Sequence, residues 1–230
     1  EDLCKNNGAG ATSSFFYKPD DSVSRKLFAG PVWDYDKAYA NLDGINESTQ
    51  DLCYLMQRST DPTMLFWYLN THDEFRQSVS ACYEAFFSDY MQTIQDEKID
   101  EYVSEIEASR DMDLIRWKKI YGEKVDYGRE VQRIRDFLAS RKLFLDEVWA
   151  GDKEICTVCF LSEEGFVSNY VSVIKGACME RLPGAEPGTV SGDRMFGGWY
   201  TQEGTRFDTT TPVLTDMAVY ERRHEVSRAD

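Results

Sequence analysis

Apolar residues at helical spacing run through the middle of the chain. They recur every three or four residues over positions 75–94, 99–106 and 131–148, which is the spacing of amphipathic helices, so three helices with core-facing stripes are predicted. The stripes consist of Phe75, Val79, Cys82, Phe86, Tyr90 and Ile94; Ile99, Val103 and Ile106; and Val131, Ile134, Leu138, Leu145 and Val148. We expect the charged residues between them to lie on solvated faces, among them Glu101, Glu105, Arg133 and Arg135.

The period changes after residues 150–153. Hydrophobic and polar residues now alternate, and glycine and proline punctuate the pattern, which predicts short strands and a small, mostly β domain. We expect 150–153 to be a linker, 154–223 to be this domain and 224–230 to be a tail. The predicted strands cover residues 155–161, 169–174, 195–200 and 217–220.

Two further strands are predicted near the amino end. Residues 14–18 and 27–33 carry strand formers, and 19–22 (PDDS) has the composition of a turn, so the two strands are expected to form a hairpin. The second strand continues into Asp34 and Asp36, which the side-chain period of two places on one face. Two such carboxylates could bind Mg²⁺ together with phosphate oxygens. The alternative is a solvated strand end, because D-x-D is a weak motif in an acidic chain.

Composition limits the classes of partner and site. The 230 residues carry a net charge of −15, which argues against nucleic acid or an anionic membrane surface as partner, and no run reaches the ~18 apolar residues of a membrane span. The two histidines, His72 and His224, are too far apart in sequence to indicate a histidine-based site. Cys156 and Cys159 fall on opposite faces of a predicted strand, so a structural role is expected rather than a shared zinc ion.

Three segments resemble the CotH (spore coat protein H) kinase family. They are residues 16–18 (FYK), residues 26–36 (KLFAGPVWDYD) and residues 136–149 (DFLASRKLFLDEVW), and the resemblance extends over residues 1–149. It implies a mostly helical, kinase-like C-terminal lobe with a β-hairpin in the active-site region. Residues 1–4 (EDLC) look like the last turn of a helix, so we expect the chain to be a segment of a longer protein, and the resemblance implies that a nucleotide-binding N-terminal lobe precedes residue 1.

The resemblance implies particular ligands and residues. ATP and Mg²⁺ would be the cofactors, Asp34 would bind the metal that bridges the ATP phosphates, and Asp36 is a weaker second candidate. Asn6 and Ser13 would contact metal or phosphate. Family members usually carry an aspartate where the register set by the preceding Lys-Asn pair places Gly8, and glycine can neither orient a substrate hydroxyl nor accept its proton.

The β domain resembles the internalin-type B repeat, also called the Listeria–Bacteroides repeat. That resemblance implies a β-grasp-like module of a bacterial surface protein, with its aromatic residues filling a small core. The matching residues are Val158, Phe160, Gly176, Pro183, Pro187, Phe196, Gly198, Trp199, Tyr200, Phe207, Asp208, Thr211, Pro212, Val213, Asp216 and Tyr220.

Together these patterns predict an α+β protein with two domains and suggest three functions. The first is an exported or cell-surface bacterial kinase that transfers a phosphoryl group from Mg-ATP to serine or threonine of a protein substrate. The second is an inactive, pseudokinase-type surface adhesion or scaffold protein, which Gly8 favours. The third is a protein that binds carbohydrate or a cell-wall component, which the aromatic content permits.

Overall fold

The fold is described from a computed structural model. It describes residues 2–6, 13–39, 41, 64–121, 126–151 and 153–226. These residues form two compact units, the first drawn from 1–49 and 71–151 and the second from 50–70 and 152–230. Helices dominate the first unit and a six-stranded sheet the second, so the α+β prediction is confirmed. Within the described ranges, no helix is both long and apolar enough to cross a bilayer.

The first unit contains one hairpin and a series of helices. Strands β1 (Phe16–Tyr17) and β2 (Phe28–Ala29) pair antiparallel, and a short 3₁₀ turn follows at Tyr35–Lys37. The α-helices in chain order are α1 (Met64–Asn70, in the second unit), α2 (Asp73–Cys82), α3 (Ser88–Thr93), α4 (Ile99–Tyr121) and α5 (Tyr127–Leu145). Turns of π-helix occupy Tyr83–Phe87, Ile94–Lys98 and Asp146–Ala150.

The residues from α2 to α3 that face the core differ from the predicted stripe. The predicted stripe is wrong from Cys82 onward, since Cys82, Phe86 and Tyr90 are exposed, whereas Tyr83 and Met91 are buried. Tyr83 lies four residues after Val79 and Cys82 only three, and both spacings fit an α-helix, so the pattern alone could not decide which of the two faces the core. The stripe of α4 is also partly wrong, because only its first member is buried and Ile106 is 48% exposed.

The predicted stripe of α5 is confirmed at its C-terminal end. Leu138, Leu145 and Val148 are buried, and the position skipped in the stripe is filled by the fully buried Arg141. The helix begins with Asp126 as its N-cap, whose carboxylate accepts from the Arg129 amide at 3.1 Å.

The prediction of solvated faces is wrong for the two arginines named from α5. Arg133 and Arg135 are half-buried. Arg133 donates to the Tyr39 carbonyl at 2.8 Å, and Arg135 to the Gln95 carbonyl at 2.7 Å. A stripe drawn from apolar residues leaves arginine out because of its charge. Its long side chain can nevertheless reach backbone carbonyls at the edge of a core.

The second unit is built on one mixed sheet. Its strand order is β4-β3-β8-β6-β5, with β7 also paired to β6, and β3 and β8 run parallel. The strands are β3 (Ile155–Leu161), β4 (Val167–Ile174), β5 (Val190–Ser191), β6 (Arg194–Tyr200), β7 (Arg206–Phe207) and β8 (Met217–Glu225). All four strands expected from the alternating pattern are present, and β8 extends five residues beyond its predicted end at Tyr220.

The core of this unit is aromatic. Phe160 packs edge-on against Trp199 and Phe207, with ring centroids 4.8 and 6.2 Å apart. The Trp199 indole donates to the Pro183 carbonyl at 3.0 Å, so its polar atom is satisfied. Cys156 is buried with this core, and the alternation of β3 turns Cys159 to the other face, as predicted.

Candidate functional site

The segment 2–6 is a buried, polar stretch of irregular backbone in the first unit. Lys5 is 1% exposed and Asn6 is fully buried. Arg141 of α5 holds the start of this segment, because its Nε donates to the Asp2 carbonyl at 3.0 Å and its Nη2 lies 3.7 Å from the Asp2 carboxylate. Buried polar groups are costly unless bonded, so such a stretch is expected where backbone position matters more than stability alone.

The hairpin leads the chain to the two predicted acids. The Tyr17 and Phe28 rings stack with centroids 5.2 Å apart, and the Gly30 amide donates to the Phe15 carbonyl at 2.9 Å. Asp20 closes the turn, since its carboxylate accepts from the Ser22 amide and hydroxyl; these bonds lower the Asp20 pKa. The predicted hairpin is therefore confirmed, with shorter strands than expected.

The strand does not continue to the acids. Asp34 has φ 60° and ψ 52°, which is left-handed backbone, and it precedes the 3₁₀ turn that contains Asp36. The prediction that strand alternation places both carboxylates on one face is therefore wrong, because alternation requires extended backbone. Both side chains are exposed.

Tyr39 joins the acid-bearing segment to segment 2–6. Its amide donates to the Cys4 carbonyl at 2.8 Å, and its carbonyl accepts from Arg133 at 2.8 Å. The Tyr39 ring packs edge-on against Phe137, with centroids 6.1 Å apart. Burial, together with the neighbouring Cys4 and Tyr90, raises the pKa of Tyr39 to about 12, so the phenol is neutral at physiological pH.

Backbone strain is concentrated in this region. Among the described residues, positive φ outside glycine occurs at Lys5 (49°), Asp34 (60°) and Tyr39 (58°). Each such residue costs about 1–3 kcal/mol unless surrounding contacts compensate, and strain of this kind clusters at functional sites. The hydrogen bond from Tyr39 to Cys4 connects the two segments that carry these three residues, so we regard 2–6 and 34–39 as one candidate site.

The four predicted ligand residues differ in accessibility. Asn6 and Ser13 are buried, whereas Asp34 and Asp36 are exposed. In the described part of the chain, no group of three or more His, Cys, Asp or Glu side chains could hold a metal. Mg²⁺ is commonly held by one or two carboxylates plus phosphates and waters, so the exposed carboxylate of Asp34 fits it as a donor. The prediction about Gly8 lies outside the described residues.

Sequence reasoning missed the residues of α5 that hold the two segments. Arg133, Phe137 and Arg141 are spaced at i, i+4 and i+8, which places them on one face of the helix. The signal was present as the skipped position in the apolar stripe, which Arg141 occupies. The acceptors of the two arginines, the carbonyls of Tyr39 and Asp2, are more than 90 residues away in sequence and could not be identified from periodicity.

Comparison with known proteins shows the family of the chain. No curated protein matches the chain closely enough to count as a relative. A family model described as CotH kinase protein matches residues 8–145, which is more than half of the chain and includes the hairpin, Asp34, Tyr39 and all of α5. The chain therefore belongs to the CotH kinase protein family and is kinase-like.

Proposed function

We propose that residues 1–149 are the C-terminal lobe of an exported atypical kinase, which transfers the terminal phosphoryl group of Mg-ATP to serine or threonine of a protein. The observation that carries the proposal is the position and geometry of Asp34. It follows the hairpin, its carboxylate is exposed, its backbone is left-handed, and its segment is hydrogen-bonded to the buried segment 2–6. In protein kinases the metal-binding aspartate likewise comes after the catalytic loop, and positioning supplies most of the catalysis.

The proposal gives each predicted ligand a role. Asp34 would bind Mg²⁺, with Asp36 as a second carboxylate. When bound, the metal neutralises charge on the nucleotide phosphates. Asn6 and Ser13, which are both buried, would contact metal or phosphate.

A phosphoryl-transfer assay tests this proposal. The intact protein, with any sequence that flanks these residues, is incubated with Mg²⁺ and ATP labelled on the terminal phosphate, together with a serine- and threonine-rich protein. We expect transfer by the wild type and its loss in Asp34→Asn, which keeps the size and left-handed tolerance of the side chain but removes its charge. Transfer at the wild-type rate by Asp34→Asn would reject Asp34 as a metal ligand.

The second candidate function is an inactive scaffold, and Gly8 is the specific observation that favours it. Without a carboxylate at that position, nucleotide would bind but the substrate hydroxyl would lack its base. Gly8→Asp separates the two candidates. If the missing base limits the reaction, Gly8→Asp raises phosphoryl transfer about 100-fold, within the usual range for a positioned base. Equal transfer in the two proteins would show that the base is not limiting.

For the second unit we propose a cell-surface role as a B-repeat-like module in an exported bacterial protein. The support is its size, its mixed sheet and the aromatic core around Trp199. The partner would be a protein substrate of the kinase-like lobe or a component of the cell surface or wall. Labelling intact cells with a membrane-impermeant amine reagent tests the location. Modification of surface lysines such as Lys153 is expected, and labelling only after lysis would reject export.

A further inference from the structure

One face of α5 contacts both strained segments of the candidate site. Arg141 donates to the Asp2 carbonyl, the Phe137 ring packs edge-on against Tyr39, and Arg133 donates to the Tyr39 carbonyl. Residues at i, i+4 and i+8 of a helix are rigidly spaced along about two turns. The face therefore fixes where the two segments lie relative to each other.

The Arg133 side chain is itself held in place by a second residue of α5. Its Nε donates to the Glu130 carboxylate at 2.8 Å, one turn earlier on the same helix, while its Nη1 donates to Tyr39 at 2.8 Å. The fork of the guanidinium is planar and rigid, so anchoring one nitrogen orients the others. A bond from such an oriented cation to a carbonyl is stronger than one between neutral groups.

Further hydrogen bonds connect the backbone around Tyr39 with the segment that carries Asp34 and Asp36. Asn41 donates from its side chain to the Asp36 carbonyl at 2.7 Å, and its own amide donates to the Ala38 carbonyl at 3.1 Å. Hydrogen bonds therefore connect Asn41 with Asp36 and Ala38, and Arg133 bonds the Tyr39 carbonyl; we call residues 36–39 the loop of the site. The Tyr39 backbone is left-handed, so this loop needs outside contacts to keep its shape.

We infer that Arg133 is a positioning residue for the nucleotide site: through the Tyr39 carbonyl it sets the conformation of the segment that carries Asp34. This inference rests on the proposed function, because it concerns binding of Mg-ATP at that segment. Arg133 acts through Tyr39 and touches neither nucleotide nor metal. The hydrogen bond of Arg133 differs from general core packing because its acceptor, the Tyr39 carbonyl, lies in the loop of the site.

Arg135 provides a matched control on the same helix. It is also a half-buried arginine, it also donates to a backbone carbonyl, that of Gln95 at 2.7 Å, and it also pairs with a carboxylate, that of Asp100 at 2.6 Å. Its acceptors belong to the helical segment 94–100, outside the candidate site. Arg133→Met and Arg135→Met therefore each remove one bond to a carbonyl and one pair with a carboxylate, and they differ in which segment is released; Arg133 also has its Nη2 3.5 Å from the Asn41 Oδ1, within the same segment of the site.

The experiment compares the two variants in the intact protein by two measurements. The first is the amide hydrogen exchange of Tyr39, whose N–H donates to Cys4, and of Ala38, whose N–H donates to Tyr35. The second is the affinity for Mg-ATP measured by calorimetry. We expect Arg133→Met to speed exchange at these two amides and to weaken Mg-ATP binding, each about tenfold, as loss of one charge-assisted hydrogen bond implies. Arg135→Met should change neither by more than about twofold.

Conservative replacement adds a readout that a purely structural role would not give. Arg133→Lys keeps one donor for the Tyr39 carbonyl, so it should recover part of the affinity, whereas a lysine cannot bond Glu130 and Tyr39 in the same fork geometry. Equal affinity and equal exchange in Arg133→Met and Arg135→Met would overturn the inference. So would a loss of affinity in Arg133→Met without faster exchange at Tyr39, because the effect would then not pass through that residue.

The two measurements separate failure of the inference from failure of the proposed function. If the wild-type protein does not bind Mg-ATP, the proposed function is rejected and with it the assignment of Arg133 to a nucleotide site. Exchange at Tyr39 would then still decide whether Arg133 holds the loop. If the wild type binds Mg-ATP and Arg133→Met binds it equally well, the proposed function stands and the positioning role is rejected.

Discussion

Replacing Arg141 by methionine tests whether α5 anchors the buried segment 2–6. Arg141 is fully buried, and two of its nitrogens donate to the Asp2 carbonyl. Its guanidinium lies over the Phe144 ring, 5.3 Å from the centroid. Methionine keeps most of the aliphatic stem and its packing, so the substitution removes the charge and the donors with little change in volume.

The expected loss of stability follows from these contacts. Two donors share one carbonyl, so we count one charge-assisted hydrogen bond, worth about 1.5–3 kcal/mol. The Asp2 carboxylate, which is 7% exposed, also loses the cation 3.7 Å away, and removing one partner of a buried pair costs about 3–5 kcal/mol in all. The substitution also removes the cost of burying the guanidinium charge, which offsets part of the loss. We therefore expect Arg141→Met to lower the free energy of unfolding by about 3 kcal/mol, a large share of the ~5–15 kcal/mol of a typical domain.

Native-state hydrogen exchange in increasing urea is the appropriate assay, because a chain with two compact units need not unfold in one step. Amides of α5 report the first unit. Arg135→Met is the control and should cost about 1 kcal/mol, since its side chain is partly solvated. Adding Asp2→Asn to Arg141→Met should recover about 1 kcal/mol by removing the carboxylate charge.

Equal stability of Arg141→Met and Arg135→Met would refute this reasoning. That result would mean that the buried arginine contributes no more than a half-exposed one, and that segment 2–6 is held by other contacts. If adding Asp2→Asn to Arg141→Met lowered the stability further, that would contradict the claim that the unpaired, buried Asp2 carboxylate is what destabilises Arg141→Met.

Further predictions concern single side chains in each unit. The Asp146 pKa is raised by burial but lowered overall by bonds from Lys142, Tyr83 and Ser88, so its contribution to stability is present above its usual value of 3.8 and lost as pH falls below it. Urea unfolding should therefore find Asp146→Asn about 1 kcal/mol less stable than wild type at pH 6, with a smaller gap as the pH falls below 3.8, and a constant gap would contradict this assignment. Gly197→Ala should lose about 1 kcal/mol in thermal unfolding, because its Cβ would lie 3.2 Å from the Arg222 carbonyl and would displace the exposed His224 ring. Gly128→Ala in α5, whose Cβ has room, is the control and should gain up to about 1 kcal/mol.

The β unit could be predicted well from the sequence because alternation is a local signal. The extended backbone of β3 alone determines that Cys156 and Cys159 lie on opposite faces. Strands of two residues, such as β5 and β7, carry too few positions to show alternation, and they form because β6 offers them an edge. Local pattern therefore predicts the long strands, whereas pairing determines the short ones.

The helical unit shows two limits of periodicity. An apolar stripe allows steps of three or four residues, so it could not decide between Cys82 and Tyr83, and Tyr83 is the one that is buried. A stripe also treats arginine as solvated, although Arg141 completes the core of α5 by bonding a carbonyl.

The candidate site could be predicted only in part. The hairpin that precedes Asp34 was predicted from its strand formers and turn residues, but the left-handed backbone of Asp34 excludes the extended geometry that alternation implied. The bond from Tyr39 to Cys4 joins residues 35 positions apart and depends on how α5 packs, which no local pattern encodes. A non-glycine residue adopts positive φ because of such contacts, so strain of this kind is visible only in the structure.

The most direct test of the account is calorimetry of Mg²⁺-dependent ATP binding by the intact protein and by Asp34→Asn. Asp111→Asn is the control, because Asp111 is an exposed carboxylate on α4 outside the candidate site. We expect the wild type and Asp111→Asn to bind ATP only when Mg²⁺ is present. We expect Asp34→Asn to bind Mg-ATP at least about tenfold more weakly, because it has lost a metal ligand. Equal, Mg²⁺-dependent binding by all three proteins would contradict the claim that Asp34 holds the metal.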